Sequence, residues 1–360
     1  MTNQTPFHLL CRSTCLRIVW SLSLLIVTHC TFAKGDKATH KEIKPLKFNL
    51  GKSGKIETMA MNADGNLLTG VSWEKRGARK ALQGRRRRRR GRRRGRPKAP
   101  SEFDPNREYA IKVISPQGKI LDTWKLKSLV PKMMHGNTDG TVYVGGAGSL
   151  SLLDKKGEVK KTIKLAKLFN GDFADAHVSG LTANEKYLFV AFGHGWSLRA
   201  TEDIVRFNRD LSSPKVIIKR QFGCCSHLDL DVKGDELLVA ENSRHRVNRY
   251  SFDGKSLGKW GRRDRRNISG FAACCNPVNF DFGSQKEVLY TAESGIGRVK
   301  KYSAKGKYLG LVGYVDTTKF DRGSFLASQS CYIPIEVNKD ASRIYIMDVR
   351  ANIIRVLAVQ

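Results

Sequence analysis

Residues 236–252 read ELLVAENSRHRVNRYSF and run on into DGKSLGKW. The pattern returns at 287–313 as EVLYTAESGIGRVKKYSAKGKYLGLVG, and a shorter copy, RIYIMDVRANIIRVLAV, occupies 343–359. Each copy is a hydrophobic strand, a polar break, a second strand carrying basic residues, a turn, and in the longer copies a third strand. A period of roughly 40–55 residues built from four short strands is the sequence signature of a β-propeller. One such unit has no core of its own, so the copies must stack radially to bury their faces. The expected class is all-β, a six-bladed propeller with four-stranded blades.

Working outward, the chain of 360 residues, 40% of them hydrophobic, is long enough for one large globular domain. Asp64-Gly65, Asp139-Gly140 and Asp253-Gly254 mark tight turns between strands. Blades are expected near 55–126, 131–165, 177–219, 224–261, 274–313 and 331–360, with an insertion over 74–107 inside the first. The last blade has only three strands before Gln360. An open ring would expose a strand edge. The segment 44–50, KPLKFNL, has no other assignment and is expected to supply the missing outer strand, giving a propeller over 44–360 behind a short linker at 34–43. Blade 2 is the most divergent copy, which leaves five or seven blades open.

The runs Val239-Ala240-Glu241-Asn242-Ser243-Arg244-His245-Arg246-Val247 and Thr291-Ala292-Glu293-Ser294-Gly295-Ile296-Gly297-Arg298-Val299 resemble the core of the NHL repeat: strand, acidic residue, small residues, Arg, β-branched residue. The resemblance weakens in blade 6 and fades in blades 1–3. It implies a six-bladed propeller and is nearly silent on activity, because propellers host unrelated functions. The family includes a zinc lyase that acts on hydroxyglycine-extended peptides and carries histidines in its channel. His135, His177 and His227 do not match that enzyme motif by motif.

Arg12 and Arg17, the apolar run 18–27 (IVWSLSLLIV) and Thr31-Phe32-Ala33 read as an export signal, residues 1–33, cleaved near Ala33. The run is short for a membrane span, though an uncleaved anchor is the alternative. The expectation is a secreted or periplasmic protein, a monomer with no transmembrane segment once the signal is gone. Eight cysteines are present. Cys11, Cys15 and Cys30 would leave with the signal; Cys224, Cys225, Cys274, Cys275 and Cys331 would remain. An oxidising compartment permits disulfides, and an odd number leaves one thiol over. By their place in the repeat, the cysteines are expected to open the innermost strands of blades 4, 5 and 6, where bridges between 224/225 and 274/275 would staple neighbouring blades.

The formal net charge is +32. Residues 85–98 carry eleven positive charges and no acidic one, contributed by Arg85, Arg86, Arg87, Arg88, Arg89, Arg90, Arg92, Arg93, Arg94, Arg96 and Lys98. Such a chain is drawn to anionic partners: acidic polysaccharide, membrane phosphate, or nucleic acid through the arginine tract. The plainer reading of the tract is a solvated disordered loop with no specific partner.

Topology sends the connections between blades and the loops between second and third strands to one face, here called the top. His194, Trp196, Glu241, Arg244, His245, Glu293 and Arg298 are expected there as binding residues. Glu241 and Glu293 would bind a cation, act as acid and base, or pair with Arg244 and Arg298. His135, His177 and His227, with the thiols, are candidates for zinc or copper in the channel, and calcium is the oxygen-ligand alternative; no CxxC or HExxH spacing supports this, and no cofactor is required by the sequence. There is no GxSxG, GxxxxGK[ST] or GxGxxG motif, so nucleotide-dependent chemistry and a hydrolase elbow have no support. The leading expectation is a non-enzymatic exported propeller binding an anionic polymer or a protein partner; the runner-up is a metal-dependent lyase, hydrolase or oxidoreductase.

Overall fold

The computed structural model describes residues 36–51, 53–75, 103–146, 148–174, 176–194, 201–223, 227–272, 275–277, 279–283, 287–315 and 332–360. The chain divides into Met1–Lys37 and Ala38–Gln360, and the strands described belong to the second unit. The expected signal, most of the insertion with its arginine tract, Trp196, Cys224, Cys225, Cys274 and Cys331 lie outside the described residues.

The strands form six antiparallel sheets of four. β1 is His40–Leu46. Blade 1 comprises β2 (Lys55–Met61), β3 (Leu67–Glu74), β4 (Arg107–Ile114) and β5 (Ile120–Leu126). Blade 2 comprises β6 (Met133–Gly136), β7 (Val142–Gly145), β8 (Ser149–Leu153) and β9 (Val159–Lys164). β10 (His177–Ala183), β11 (Tyr187–Gly193), β12 (Thr201–Asn208) and β13 (Lys215–Phe222) make blade 3. β14 (Leu230–Lys233), β15 (Glu236–Glu241), β16 (Arg246–Ser251) and β17 (Ser256–Trp260) make blade 4. Blade 5 holds β18 (Asn279–Asp281), β19 (Val288–Glu293), β20 (Arg298–Ser303) and β21 (Tyr308–Tyr314). Blade 6 holds β22 (Ile335–Val337), β23 (Arg343–Asp348) and β24 (Ile353–Val359), with β1 as its fourth strand. The architecture is a six-bladed propeller.

The core is a set of wedges between blades, because both faces of every sheet must be covered. Leu238, Val247, Phe280 and Leu289 fill the seam between blades 4 and 5. Ile56, Leu67, Ile114, Tyr345, Ile354 and Val356 fill the seam where blade 6 meets blade 1. That closing seam is the one that depends on both ends of the propeller.

β1 pairs antiparallel with β24, His40 opposite Val359 and Glu42 opposite Leu357, with a register break between Ile43 and Leu46 around Pro45, which has no N–H to give. The closing strand is thus His40–Leu46, and the expected 44–50 meets only its end. Phe48 and Leu50 do something else: they pack into the closing seam. An outermost strand is half-solvated, so its sequence HKEIKPL is polar and reads as linker, while the apolar spacing of Leu46, Phe48 and Leu50 reads as strand.

The insertion in blade 1 grows out of a closed ladder. Glu74 pairs with Arg107 across β3 and β4, and the Lys75 N–H donates to the Asn106 carbonyl at 2.8 Å. The innermost strands of blades 4, 5 and 6 begin at Leu230, Asn279 and Ile335, so the cysteine-bearing segments precede these strands instead of opening them. Asp229 still continues the ladder, accepting from the Ala240 N–H at 2.9 Å.

Candidate functional site

The top rim repeats one arrangement: an acid ends the second strand and an arginine near the start of the third strand meets it. Glu241 pairs across the ladder with Arg246, and Glu293 with Arg298. Glu241 is 2% exposed; it takes Arg246, the Asn248 amide at 3.0 Å and Arg244 at 3.4 Å. Glu293 is fully buried and accepts from Arg298 Nε at 2.8 Å, Lys300 Nζ at 2.8 Å and the Ala272 N–H at 3.0 Å. In blade 6 Asp348 holds Arg355 at 2.8 Å, and Arg355 also reaches Glu42 on β1 at 2.8 Å. These carboxylates are consumed by pairing, as the arginine-pairing alternative anticipated, and offer no open ligand position. Buried Arg298 is likewise turned inward, whereas Arg244 stays about half exposed over the Phe222 ring, 4.5 Å to its centroid.

Between blades 4 and 5 the connection 261–272 carries Arg262, Arg263, Arg265 and Arg266, all exposed, around a single acid, Asp264. The loop is internally closed. Asp264 Oδ1 accepts from the N–H groups of Arg266 (2.9 Å) and Asn267 (3.0 Å), while the Asp264 N–H donates to the Phe271 carbonyl at 3.0 Å and the Phe271 N–H to the Arg262 carbonyl at 2.9 Å. These contacts hold the Asp264 carboxyl below the usual range. Asp264 also meets Arg262 at 3.2 Å. Gly261 (φ +95°) sits where a Cβ would come within 2.9 Å of both the His245 carbonyl and the Phe271 ring, so the loop starts flush against the 242–245 turn that bears Arg244.

Beneath this loop lies Lys300, fully buried. Its ammonium donates to the carbonyls of Ile268 (2.9 Å) and Gly270 (2.6 Å) and to Glu293, and stands 4.7 Å over the Phe271 ring. The Tyr302 hydroxyl donates to the Ser269 carbonyl at 3.0 Å. Burial pushes the Lys300 amine down to about 8, against the pull of Glu293 in the other direction. A strand of blade 5 therefore carries a strut that fixes the arginine loop.

The channel is walled by carboxylates that bridge blades. Asp229 accepts from the Phe280 N–H (2.8 Å), Asp231 from Phe282 (3.0 Å), Asp281 from Val337 (2.6 Å) and Glu336 from Met61 (3.1 Å). Each bond ties one blade to an inner strand of the next. Burial, then mutual repulsion with Asp231, pushes Asp281 up to about 7; burial likewise lifts Asp229 to about 7 and Glu336 well above its ordinary value. Above them the His227 and Tyr332 rings stack at 4.2 Å, and the Tyr332 hydroxyl meets Met133 Sδ at 3.3 Å, joining blades 2, 4 and 6 across the channel mouth.

The three histidines are not brought together. His135 lies on β6, His177 packs on Gly193 in blade 3, and His227 stacks on Tyr332. Among the described residues no group of three His, Cys, Asp or Glu side chains is placed to hold a metal ion. His194 pairs with Asp203 at 3.3 Å, which raises its affinity for a proton, and His245 takes a left-handed conformation at φ 56°. Cys275 is buried. The sequence signal that would have found the arginine loop is the run RRDRR at 262–266.

No protein-family model and no curated protein matches this sequence. Solved structures do. A gluconolactonase from Xanthomonas campestris superposes with a TM-score of 0.52 at 12% identity, over 92% of this chain and 93% of that one. The Swd1 β-propeller domain of Myceliophteria thermophila gives 0.46 at 13% identity, over 89% of this chain and all of that one. Hydrazine synthase of Kuenenia stuttgartiensis gives 0.47 at 14%, over 86% and 97%. Likeness at such identities establishes the propeller fold and nothing beyond it.

Proposed function

We propose that this chain is an exported, NHL-like propeller that serves as a binding module and holds an anionic partner on its top face. The observation that carries the reading is a separation of charge. The rim acids Glu241, Glu293 and Asp348 are turned into internal ion pairs, while Arg244, Arg262, Arg263, Arg265 and Arg266 face solvent on neighbouring elements. Arg244 and Arg262 each meet one acid, Glu241 and Asp264, and the resulting excess of exposed arginine on one face attracts polyanions and orients them. The arginine tract 85–96 would add further positive charge for such a partner. Arginine-selective labelling of the full chain with and without heparin, read by peptide mass spectrometry, tests this. Protection is expected at Arg244 and 262–266 and not at Arg206 or Arg209 near the opposite turns; protection spread evenly over both faces would refute a top-face site.

A cation-dependent enzyme, similar to the lyase members of the NHL family, is the second reading. What favours it is the set of channel carboxylates Asp229, Asp281 and Glu336, which would release protons to a divalent cation. Their oxygens already accept backbone N–H groups, so the donor set fits inter-blade bridging better than ligation. Elemental analysis of protein purified without chelator decides between the two: stoichiometric zinc, copper or calcium favours the enzyme.

A further inference from the structure

We infer that the 261–272 loop is a preformed site for a linear acidic polysaccharide, one bearing carboxylate or sulfate groups, with Arg262, Arg263, Arg265 and Arg266 as its contact residues. The inference rests on the binding-module reading and names its site and ligand class. Three features support it.

The first is rigidity. A loop of four arginines would ordinarily lose much side-chain and backbone freedom on binding. Here the backbone is already fixed by the Asp264 turn, by Gly261 and Gly270 in positions where a Cβ would meet its neighbours at 2.9 and 2.3 Å, and by Lys300 and Tyr302 from below. The fold spends a fully buried ammonium on holding a surface loop, which a mere linker would not need. The second is the donor chemistry. Guanidinium forks match the paired oxygens of carboxylate and sulfate, where a lysine would act only as a point charge. The only acid in the loop caps the turn and meets Arg262, leaving the other three arginines without an acidic neighbour within the loop.

The third is the placement of the aromatic rings described around the loop. Surfaces that take single-stranded nucleic acid stack successive bases on exposed aromatic rings. Among the described residues Phe271 and Tyr302 are buried against Lys300 and each other, Phe222 lies under Arg244, and Trp260 packs against both Phe271 and Tyr302. One ring nearby, Tyr314, is 51% exposed, paired across the ladder with Arg298. An exposed ring beside a row of guanidiniums suits a sugar ring and its acidic substituents. The expected export of the chain places the loop where such polysaccharides occur.

The test compares two full-length variants of equal charge change. R262S/R263S/R265S/R266S empties the loop; K119S/K156S/K255S/K307S removes four exposed charges from the turns on the opposite face. Affinity is measured by calorimetry for a heparin dodecasaccharide, a polyuronate of similar length, and single-stranded DNA of matched charge. At about 150 mM salt the loop variant should bind at least one saccharide about tenfold or more weakly, with a flatter salt dependence, while the control stays within about twofold of the parent. Loss for heparin alone assigns sulfate, and loss for both saccharides assigns carboxylate as well. Arg→Lys at the same four positions should restore only part of the affinity, since charge returns without the fork. Equal losses in the two Ser variants, or none in the loop variant, overturn the site. DNA bound more tightly than either saccharide, and lost with the loop, overturns the ligand class. If the parent binds none of the three polyanions, the binding-module reading itself fails. Unchanged melting temperatures confirm that the variants are folded.

Discussion

Lys300→Met separates the strut from the fold. Methionine fills similar volume and keeps contact with Phe271 and Tyr302, but donates no hydrogen bond. The Ile268 and Gly270 carbonyls lose donors at 2.9 and 2.6 Å. The Gly270 carbonyl keeps a long bond from Arg298 at 3.5 Å, whereas the Ile268 carbonyl is orphaned, at about 1–3 kcal/mol if it stays buried. Glu293 keeps Arg298 and the Ala272 N–H, so no buried charge is left unpaired. Against the loss stands the relief of desolvating an ammonium: an amine held near 8 instead of its ordinary value of about 10.4 corresponds to roughly 3 kcal/mol. The two effects nearly cancel for the global fold, but only the first acts on the loop, which can lift to reach water. The expected result is a melting temperature within a few degrees of the parent and backbone exchange over 262–272 faster by about tenfold or more. The pH dependence has a fixed sign. Between pH 8 and 10 the unfolded chain holds the lysine proton and the folded chain does not, so unfolding takes up a proton and the parent gains stability relative to Lys300→Met as pH rises, by up to about 1.4 kcal/mol per pH unit. Hydrogen exchange by mass spectrometry and urea melts at pH 7, 8.5 and 9.5 check both parts. Unchanged loop exchange, or a stability gap that moves against the mutant's favour as pH falls, would show that Lys300 is neither strut nor desolvated.

Other outcomes follow from the same geometry. The channel carboxylates hold protons in the folded state that the unfolded chain has released above about pH 4, so stability should rise as pH drops from 8 to 6; a urea midpoint that falls over that range contradicts their burial. Removing residues through Leu46 should lower the melting temperature far more than removing those through Lys37, because β24 loses its partner and Arg355 its contact with Glu42; equal melting temperatures would refute β1 as the closing strand. Non-reducing peptide mapping is expected to join a peptide containing Cys224 and Cys225 to one containing Cys274 and Cys275, and finding all of these as thiols in protein taken from its native compartment would rule out stapling.

The repeat at 236–313 made the propeller legible because there a strand period, an acid and an arginine coincide in sequence and are neighbours in space: Glu241 with Arg246, Glu293 with Arg298. Closure by the N-terminal segment was legible from the three-stranded last blade, but the strand bounds were not, since an outer strand such as HKEIKPL is too polar to distinguish from linker. The channel carboxylates were illegible for another reason. DLD at 229–231, NFD at 279–281 and IEV at 335–337 look like ordinary inner strands, and their partners are backbone N–H groups of the next blade, 51 residues away for Asp229, 56 for Asp281 and 275 for Glu336, that no side-chain pattern reports. Lys300 reads as the outward residue of an exposed strand, yet the 261–272 connection folds back over it. The run RRDRR was visible, but its neighbourhood to Lys300, Arg298 and Tyr302 depends on a blade boundary.

These misses share a cause that also explains the charge distribution. The inner strand of each blade has one unpaired edge, and its N–H groups need acceptors where water is scarce. A carboxylate answers that need without bringing a cation with it, as Asp229, Asp231, Asp281 and Glu336 do. Further acids are drawn inside by the arginines of the rim. The channel acids go inside without a cation, whereas each rim acid takes its own cation inward, as Glu293 takes Arg298 and Lys300 and Asp348 takes Arg355. The arginines at 262, 263, 265 and 266 differ from the paired cations of the rim in standing outward, on a loop that Lys300 and Tyr302 hold from below. Neutralising an inner carboxylate should therefore loosen the blades without changing polyanion affinity, whereas neutralising the loop should do the reverse.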